Sequence, residues 1–293
     1  MDKTTINFLG IGAQKAGTSW LHKNLQQHPE IWMPPRKELH YFDREITYPS
    51  PSFLASNSFQ KRIHGQEKHN QDFREKLEKE LTKTWKSNNK QNIEWYLNYF
   101  LGDYSDEWYH SLFENGVGKV SGEITPAYSF LSIKDIQHIH KLYPKLKIIL
   151  ILRNPIDRAW SQFRFYINLN ILSQESSIEE IKKFIDSKEQ TLRGDYISII
   201  SNWSKVFPKE QLHICFYDEI QQNPQLFLNK IFNFLNIKPL LLEEKILKQK
   251  VNISHFKDIP QEIQRHLNQK YKKDIIKISE IIGSYSKKWI IKE

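Results

Sequence analysis

The chain has 293 residues, with 43 lysines and arginines against 34 aspartates and glutamates, for a formal charge of +9 at pH 7. That length holds one large domain or two small ones; without an internal repeat, low-complexity tract or Pro/Gly/Ser linker, one domain over residues 1–293 is expected. No apolar run approaches the roughly 18 residues of a membrane span, the start Met1-Asp2-Lys3-Thr4-Thr5 has no charged-then-apolar leader, and the single cysteine, Cys215, excludes an intrachain disulfide, so a cytoplasmic protein is expected. The lysines are scattered, clustering only near 245–250, 270–273 and 287–288, and read mainly as solvated faces. No nucleic-acid-binding pattern accompanies them, and no nucleic-acid partner is expected.

The first element, Asn7 to Ile11, is a short apolar strand that runs into Gly12-Ala13-Gln14-Lys15-Ala16-Gly17-Thr18-Ser19. Trp20, Leu21 and Leu25 then keep helical spacing to about Gln27. The glycines permit a sharp turn, and the N–H groups of Gly17, Thr18 and Ser19 fall at the positive end of the helix dipole, where phosphate binds. Lys15 adds a point charge able to reach a second anionic group. The ATP-binding P-loop places its lysine after the last glycine, with a metal-holding hydroxyl next to it; here Lys15 precedes Gly17 and is followed by Ala16. Taken alone, the loop is more simply a strand-to-helix turn with a solvated lysine.

His28-Pro29 ends the first helix, Ile31-Trp32-Met33 reads as extended, and Pro34-Pro35 delivers the stretch Lys37 to Asp43. Residues 44–110 are expected to be largely irregular, with a charged helical segment around Asp72 to Trp85 and short amphipathic helices at Ile93 to Phe100 and Asp106 to Phe113. The aromatics Trp95, Tyr96, Tyr99, Phe100, Trp108 and Tyr109 read first as core packing and second as an acceptor-pocket wall. Lys119 to Glu123 is a candidate strand, and Ser132 or Asp135 opens a helix that Tyr143-Pro144 closes. His138 and His140, two apart on that helix, point to different faces and read as surface residues, unable to pair as metal ligands.

Lys147 to Leu152 is an unbroken apolar run, as expected of a parallel strand covered on both faces. Asn154 then caps a helix, with Pro155 at its first position and Asp157 in its first turn. Arg153 at the strand tip and Ser161 two turns later can converge on one anion; an Arg153–Asp157 pair beside a solvated Ser161 fits the spacing equally well. Helices at Ser177 to Asp186, Gly194 to Val206 and Pro224 to Leu235, and a strand at Leu212 to Tyr217, continue the alternation. A long amphipathic helix over about 260–282 closes the chain, with Ile263, Leu267, Tyr271, Ile275, Ile276 and Ile282 near helical spacing. This order predicts a three-layer α/β, P-loop-like fold with a central parallel sheet flanked by helices. Ligands of such sheets sit at the carboxyl ends of strands, where both candidate anion motifs fall.

Gln14-Lys15-Ala16-Gly17-Thr18-Ser19 resembles the 5′-phosphosulfate loop of sulfotransferases that use 3′-phosphoadenosine-5′-phosphosulfate (PAPS), and Leu152 to Ser161 resembles their 3′-phosphate motif. Lys37 to Asp43, Gly122 to Tyr128, Gly194-Asp195-Tyr196, Trp203 and Phe207-Pro208 are similar to the heparan-sulfate-type and bacterial branches, over about residues 6–236. The resemblance implies PAPS as co-substrate, no metal, and in-line transfer of a sulfuryl group to a hydroxyl or amine of a glycan, lipid alcohol or small metabolite. It assigns the nucleotide to Gln14, Lys15, Ala16, Gly17, Thr18, Ser19, Trp20, Arg153 and Ser161, and charge neutralisation on the leaving oxygen to Lys15. It assigns the general base to Glu38, with His40, whose unperturbed pKa lies near neutrality, as the alternative. In this family the region 44–110 forms substrate loops and lids. The family's lysine after the glutamate of the Thr-Pro motif is replaced by Ile124, and its C-terminal basic closing loop has only Lys248 to Asn252 as a candidate. Competing readings are a P-loop-like nucleotide kinase or NTPase, and a non-catalytic basic nucleotide- or polyanion-binding protein.

Overall fold

The computed structural model describes residues 6–49, 53–86, 90–248 and 258–290. Among these, five strands, β1 (Ile6–Gly12), β2 (Ile31–Trp32), β3 (Val120–Ile124), β4 (Lys147–Leu152) and β5 (Leu212–Phe216), form a sheet in the order β2-β3-β1-β4-β5. All neighbouring pairs are parallel, as the unbroken apolar strands require. Ile148 to Leu152 of β4 are wholly buried, covered by helices on both faces. Gly10 lies so close to Ile124 that a Cβ there would stand 2.7 Å from the Ile124 side chain, so the β1–β3 pairing itself demands a residue without one.

The helices in chain order are α1 (Thr18–Leu25), α2 (Phe59–His64), α3 (Lys68–Lys86), α4 (Lys90–Leu101), α5 (Asp106–Ser111), α6 (Ile133–Leu142) and α7 (Pro155–Asn168). They continue with α8 (Ile178–Ile185), α9 (Lys188–Gly194), α10 (Tyr196–Ser204), α11 (Tyr217–Gln222), α12 (Pro224–Leu235), α13 (Glu244–Leu247) and α14 (Gln261–Ile282). Caps set their starts: Ser132 accepts from the Asp135 N–H, deciding the α6 boundary, Asn154 accepts from the Ile156 N–H, and Asp195 from the Ser198 N–H. The Asp195 cap also divides the expected helix Gly194 to Val206, so that α9 ends at Gly194 and α10 begins at Tyr196.

Residues 44–110 are more regular than expected: α3, α4 and α5 stand where helical segments were expected, α3 extends further in both directions, and α2 is added, while residues 44–49 and 53–58 form no helix or strand. Helices α2 and α3 bury few apolar side chains, and arginines help to hold them. Arg62 is fully buried, donates to the carbonyls of Ser56 (3.2 Å), Asn57 (2.9 Å) and Gly102 (2.8 Å), and lies 3.9 Å over the Tyr104 ring. Arg74 donates to the carbonyls of Arg62, Ile63 and Gly65, which end α2. The six aromatics of α4 and α5 are buried, with Trp95 stacked on Tyr99 and Tyr41 stacked on Tyr109, so core packing is their role. On α14 the buried stripe is Ile263, Leu267, Tyr271, Ile275 and Ile278, and Ile276 faces outward. His138 is exposed and pairs with Asp106 at 3.0 Å, whereas His140, expected at the surface, is half-buried edge-on to Phe207. Cys215 is buried, and burial pushes its thiol pKa up, leaving it inert. No helix among the described residues is long and apolar enough to cross a membrane.

Candidate active site

The chain folds its two anion motifs onto adjacent strands. The loop after β1 and the tip of β4 lie side by side because β1 pairs with β4, and Arg153 Nη1 donates to the Lys15 carbonyl at 2.9 Å. The Arg153 guanidinium also lies 4.6 Å over the Tyr217 ring, and its own carbonyl accepts from the Tyr196 hydroxyl at 2.9 Å. Gly17 caps α1 with φ of 90°, a left-handed geometry open to glycine, and a Cβ there would meet Tyr217 and Ile220 at 3.0 Å. The first N–H groups of α1 have no partner within the helix and point out of its N-terminus.

Lys15 is half-buried, with its Nζ 3.8 Å over the Phe165 ring. Burial, then Arg153 and Arg164, pull its pKa down to about 8, with Glu38 working the other way. Ser161, Arg164 and Phe165 stand at i, i+3 and i+4 on α7, all half-buried, while Ala159, Trp160, Phe163 and Ile167 take the core side. Lys15, Arg153 and Arg164 therefore form a cation cluster of the kind that a multiply charged anion relieves. Of the other expected nucleotide residues, Ala16 is buried in the loop, Gln14 and Ser19 are half-buried, and Thr18 is buried. The Trp20 indole is engaged elsewhere: it donates to the Leu247 carbonyl at 3.0 Å and meets Phe227 edge-on, which leaves its backbone for a ligand.

Across from Lys15 stands the Lys37–Asp43 stretch. Glu38 and His40 both adopt left-handed backbone, φ 65° and 56°, costing about 1–2 kcal/mol each for non-glycine residues. The Glu38 carboxylate is 38% exposed, touches the Lys37 ammonium, and has its other oxygen 3.6 Å from His40 Nε2. Burial pushes Glu38 up, but His40 and Lys37 outweigh it and hold the carboxyl well below the usual carboxylate range. His40 is buried with Nδ1 2.8 Å from Asp43. Burial pulls it down, yet Asp43 and Glu38 raise it to about 9, so at neutral pH it carries both ring protons and has no lone pair to accept another. His22, half-buried, is lowered to about 4 by burial and then Lys37, and stays neutral.

Sequence reasoning gave no role to Arg164, Phe165 or Tyr217, although the spacing Ser161-x-x-Arg164-Phe165 marks one helix face. It also left Glu123 unassigned. Glu123 is 1% exposed and accepts from Tyr109, Tyr128, Thr125 and the Leu39 N–H. Its neighbour Ile124 is packed into the sheet against Gly10, so the family's lysine position is occupied by core. Of the expected closing segment, Lys248 pairs with Glu244, and Gln249 to Asn252 lie outside the described residues.

A family model described as a sulfotransferase domain matches residues 6–280. The chain belongs to the sulfotransferase family. It is 24% identical over 252 residues to the mouse (Mus musculus) bifunctional heparan sulfate N-deacetylase/N-sulfotransferase 2, covering 82% of this chain but only 23% of that relative. A membrane-associated sulfotransferase, kil1, of Dictyostelium discoideum is 30% identical over 164 residues, 55% of this chain and 23% of its own length. The chain thus spans about a quarter of the length of these curated relatives. Among solved structures, a sulfotransferase from Alicyclobacillus acidocaldarius superposes with a TM-score of 0.66 at 20% identity, covering 97% of this chain and 98% of the other, a likeness of fold.

Proposed function

We propose that this sulfotransferase moves a sulfuryl group from PAPS to a hydroxyl or amine of an acceptor. The observation that carries the reading is the joining of the Lys15 loop to Arg153 at the carboxyl ends of β1 and β4, with the Ser161 face of α7 beside them. The N–H groups at the start of α1, with Thr18 and Ser19, suit the 5′-phosphate, and Arg153 and Ser161 suit the 3′-phosphate that separates this nucleotide from ATP. Lys15, in the loop and near enough to Glu38 to feel its charge, as an ammonium neutralises charge on the bridging 5′-phosphate oxygen as the sulfur–oxygen bond breaks.

The acceptor oxygen forms the new bond to sulfur, and its proton passes to the Glu38 carboxylate. Glu38 suits that step better than His40: it is ionised and partly open to solvent, whereas His40 is buried and protonated. His40, held by Asp43, orients the Glu38 carboxylate. The kinase reading is the weaker one, because Ala16 follows Lys15 where a metal-holding hydroxyl would be needed. The relatives named for heparan sulfate support a glycan among the acceptors.

Calorimetric titration with adenosine 3′,5′-bisphosphate and with ADP, in chelator, tests the nucleotide site. Strong preference for the bisphosphate is expected; preference for ADP, or a magnesium requirement, overturns the reading. Mass spectrometry of glucosamine oligosaccharides incubated with PAPS then tests the acceptor class.

A further inference from the structure

A base must be held at a fixed distance and angle from its acceptor. The Glu38 side chain is steadied by Lys37 and His40, but its backbone belongs to a short run in which two residues of unfavourable conformation flank Leu39. What holds Leu39 therefore sets where Glu38 points. The Leu39 N–H donates to Glu123 Oε2 at 3.2 Å, and its carbonyl accepts from the Tyr99 hydroxyl at 2.9 Å. Two residues on, the Tyr41 N–H donates to the Tyr128 hydroxyl at 3.0 Å.

We propose that Glu123 is a positioning residue for sulfuryl transfer, fixing through Leu39 and Tyr128 the backbone that aims Glu38. This rests on the reading of Glu38 as the base. Glu123 points inward at the end of β3 and receives four donors, Leu39 N–H and Thr125 Oγ1 (2.6 Å) on Oε2, and the Tyr109 (2.7 Å) and Tyr128 (2.8 Å) hydroxyls on Oε1. An ionised carboxylate offers only acceptors, about four lone-pair sites in all, so the shell matches the anion. Burial raises the Glu123 pKa and the four donors oppose that rise. Tyr128 links the two holds, since one hydroxyl serves both Glu123 and the Tyr41 N–H. The carboxylate thus couples the Thr-Pro turn after β3 to a segment 84 residues away in sequence, beside the reacting atoms.

The experiment is a double-mutant cycle in the full chain, with turnover of PAPS on a glucosamine oligosaccharide probe and calorimetric binding of adenosine 3′,5′-bisphosphate. Glu123→Gln keeps the size of the side chain but has a single acceptor oxygen, which can serve either Leu39 and Thr125 or the two tyrosines; the NH2 left facing the other pair cannot accept from it. It is expected to lower kcat ten- to a hundredfold, with bisphosphate affinity within twofold of the parent. In a Glu38→Gln background the same change is expected to cost little more, because the two act in series. Thr125→Val is expected to follow Glu123→Gln and Thr125→Ser to restore turnover; if Glu123→Gln does not fold, Tyr128→Phe takes its place in the cycle. A folded Glu123→Gln protein with unchanged kcat, or one that loses kcat equally in both backgrounds, overturns the proposal. If Glu38→Gln itself keeps full turnover, the base assignment falls and this proposal with it. If Glu38→Gln loses turnover while a folded Glu123→Gln protein keeps the kcat of the parent, only the proposal falls.

Discussion

The hydrogen bond from Arg153 Nη1 to the Lys15 carbonyl, 2.9 Å long, makes one structural unit of two motifs that lie 138 residues apart. Arg153 thereby braces the Lys15 loop, and under the proposed function it also binds the 3′-phosphate. We predict that Arg153→Ala weakens adenosine 3′,5′-bisphosphate at least tenfold in calorimetry while changing ADP affinity little, and lowers stability by about 1 kcal/mol. Equal weakening of both nucleotides would show that Arg153 only braces the loop.

Lys15 gives a pH dependence of definite sign. Its ammonium form is disfavoured in the folded protein, where the pKa is about 8 against the ordinary 10.5. Bisphosphate affinity should therefore fall as pH rises through 8, and binding near pH 8 should take up a proton, visible as a buffer-dependent enthalpy. The same shift destabilises the empty fold: the penalty is present in full below pH 8 and is relieved between 8 and 10.5. Lys15→Met should accordingly abolish transfer yet raise thermal stability at pH 7 by about 1–2 kcal/mol, with the gain shrinking toward pH 10. A variant less stable than the parent at pH 7 would contradict the cation-cluster account.

The sheet and the two turns of the candidate site were legible because they rest on local signals: apolar β1 and β4, Gly17, and the caps Ser132 and Asn154; the Asp195 cap that divides α9 from α10 was not read. In residues 44–110, α3, α4 and α5 stand where helical segments were expected, but α2 and the full length of α3 were not legible, because α3 has only Asn70, Phe73 and Thr84 as its buried side chains. The α2 region is held by Arg62 and Arg74, whose carbonyl partners are set by tertiary folding. On α14, Ile276 fits a helical count yet misses the stripe that Ile275 and Ile278 define. Within the site, Lys15, Arg153 and Glu38 were readable from motifs, but the protonation of His40 depends on Asp43 approaching to 2.8 Å, and the role of Glu123 on a contact across 84 residues.

His40 should act as a stabilising cation at neutral pH. Its folded pKa, about 9, lies above the ordinary 6.5, so its contribution is complete below 6.5 and is lost as pH rises through 9. We predict that His40→Asn destabilises the protein by about 2–3 kcal/mol at pH 6, less at pH 9, and lowers kcat by releasing the Glu38 carboxylate. Denaturant melts at the two pH values check it; a cost that does not shrink with pH would mean that the ring packs as a neutral group.

Arg164 offers the sharpest discrimination, because it is predicted to act on a neighbour as well as on the ligand. It stands one turn beyond Ser161 on the half-buried face of α7, and its charge helps to depress Lys15. Replacing it with alanine removes one cation from the cluster, so bisphosphate affinity at pH 7 should fall by about three- to tenfold, the scale of a single charge-assisted contact. The Lys15 ammonium, freed of a like charge, should at the same time titrate later, moving the alkaline loss of affinity to higher pH. Affinity profiles from pH 7 to 10 for the parent and Arg164→Ala separate the possibilities. Loss of affinity with an unmoved midpoint would make Arg164 a ligand without coupling to Lys15, and a moved midpoint with unchanged affinity would make it a tuning charge outside the reach of the nucleotide.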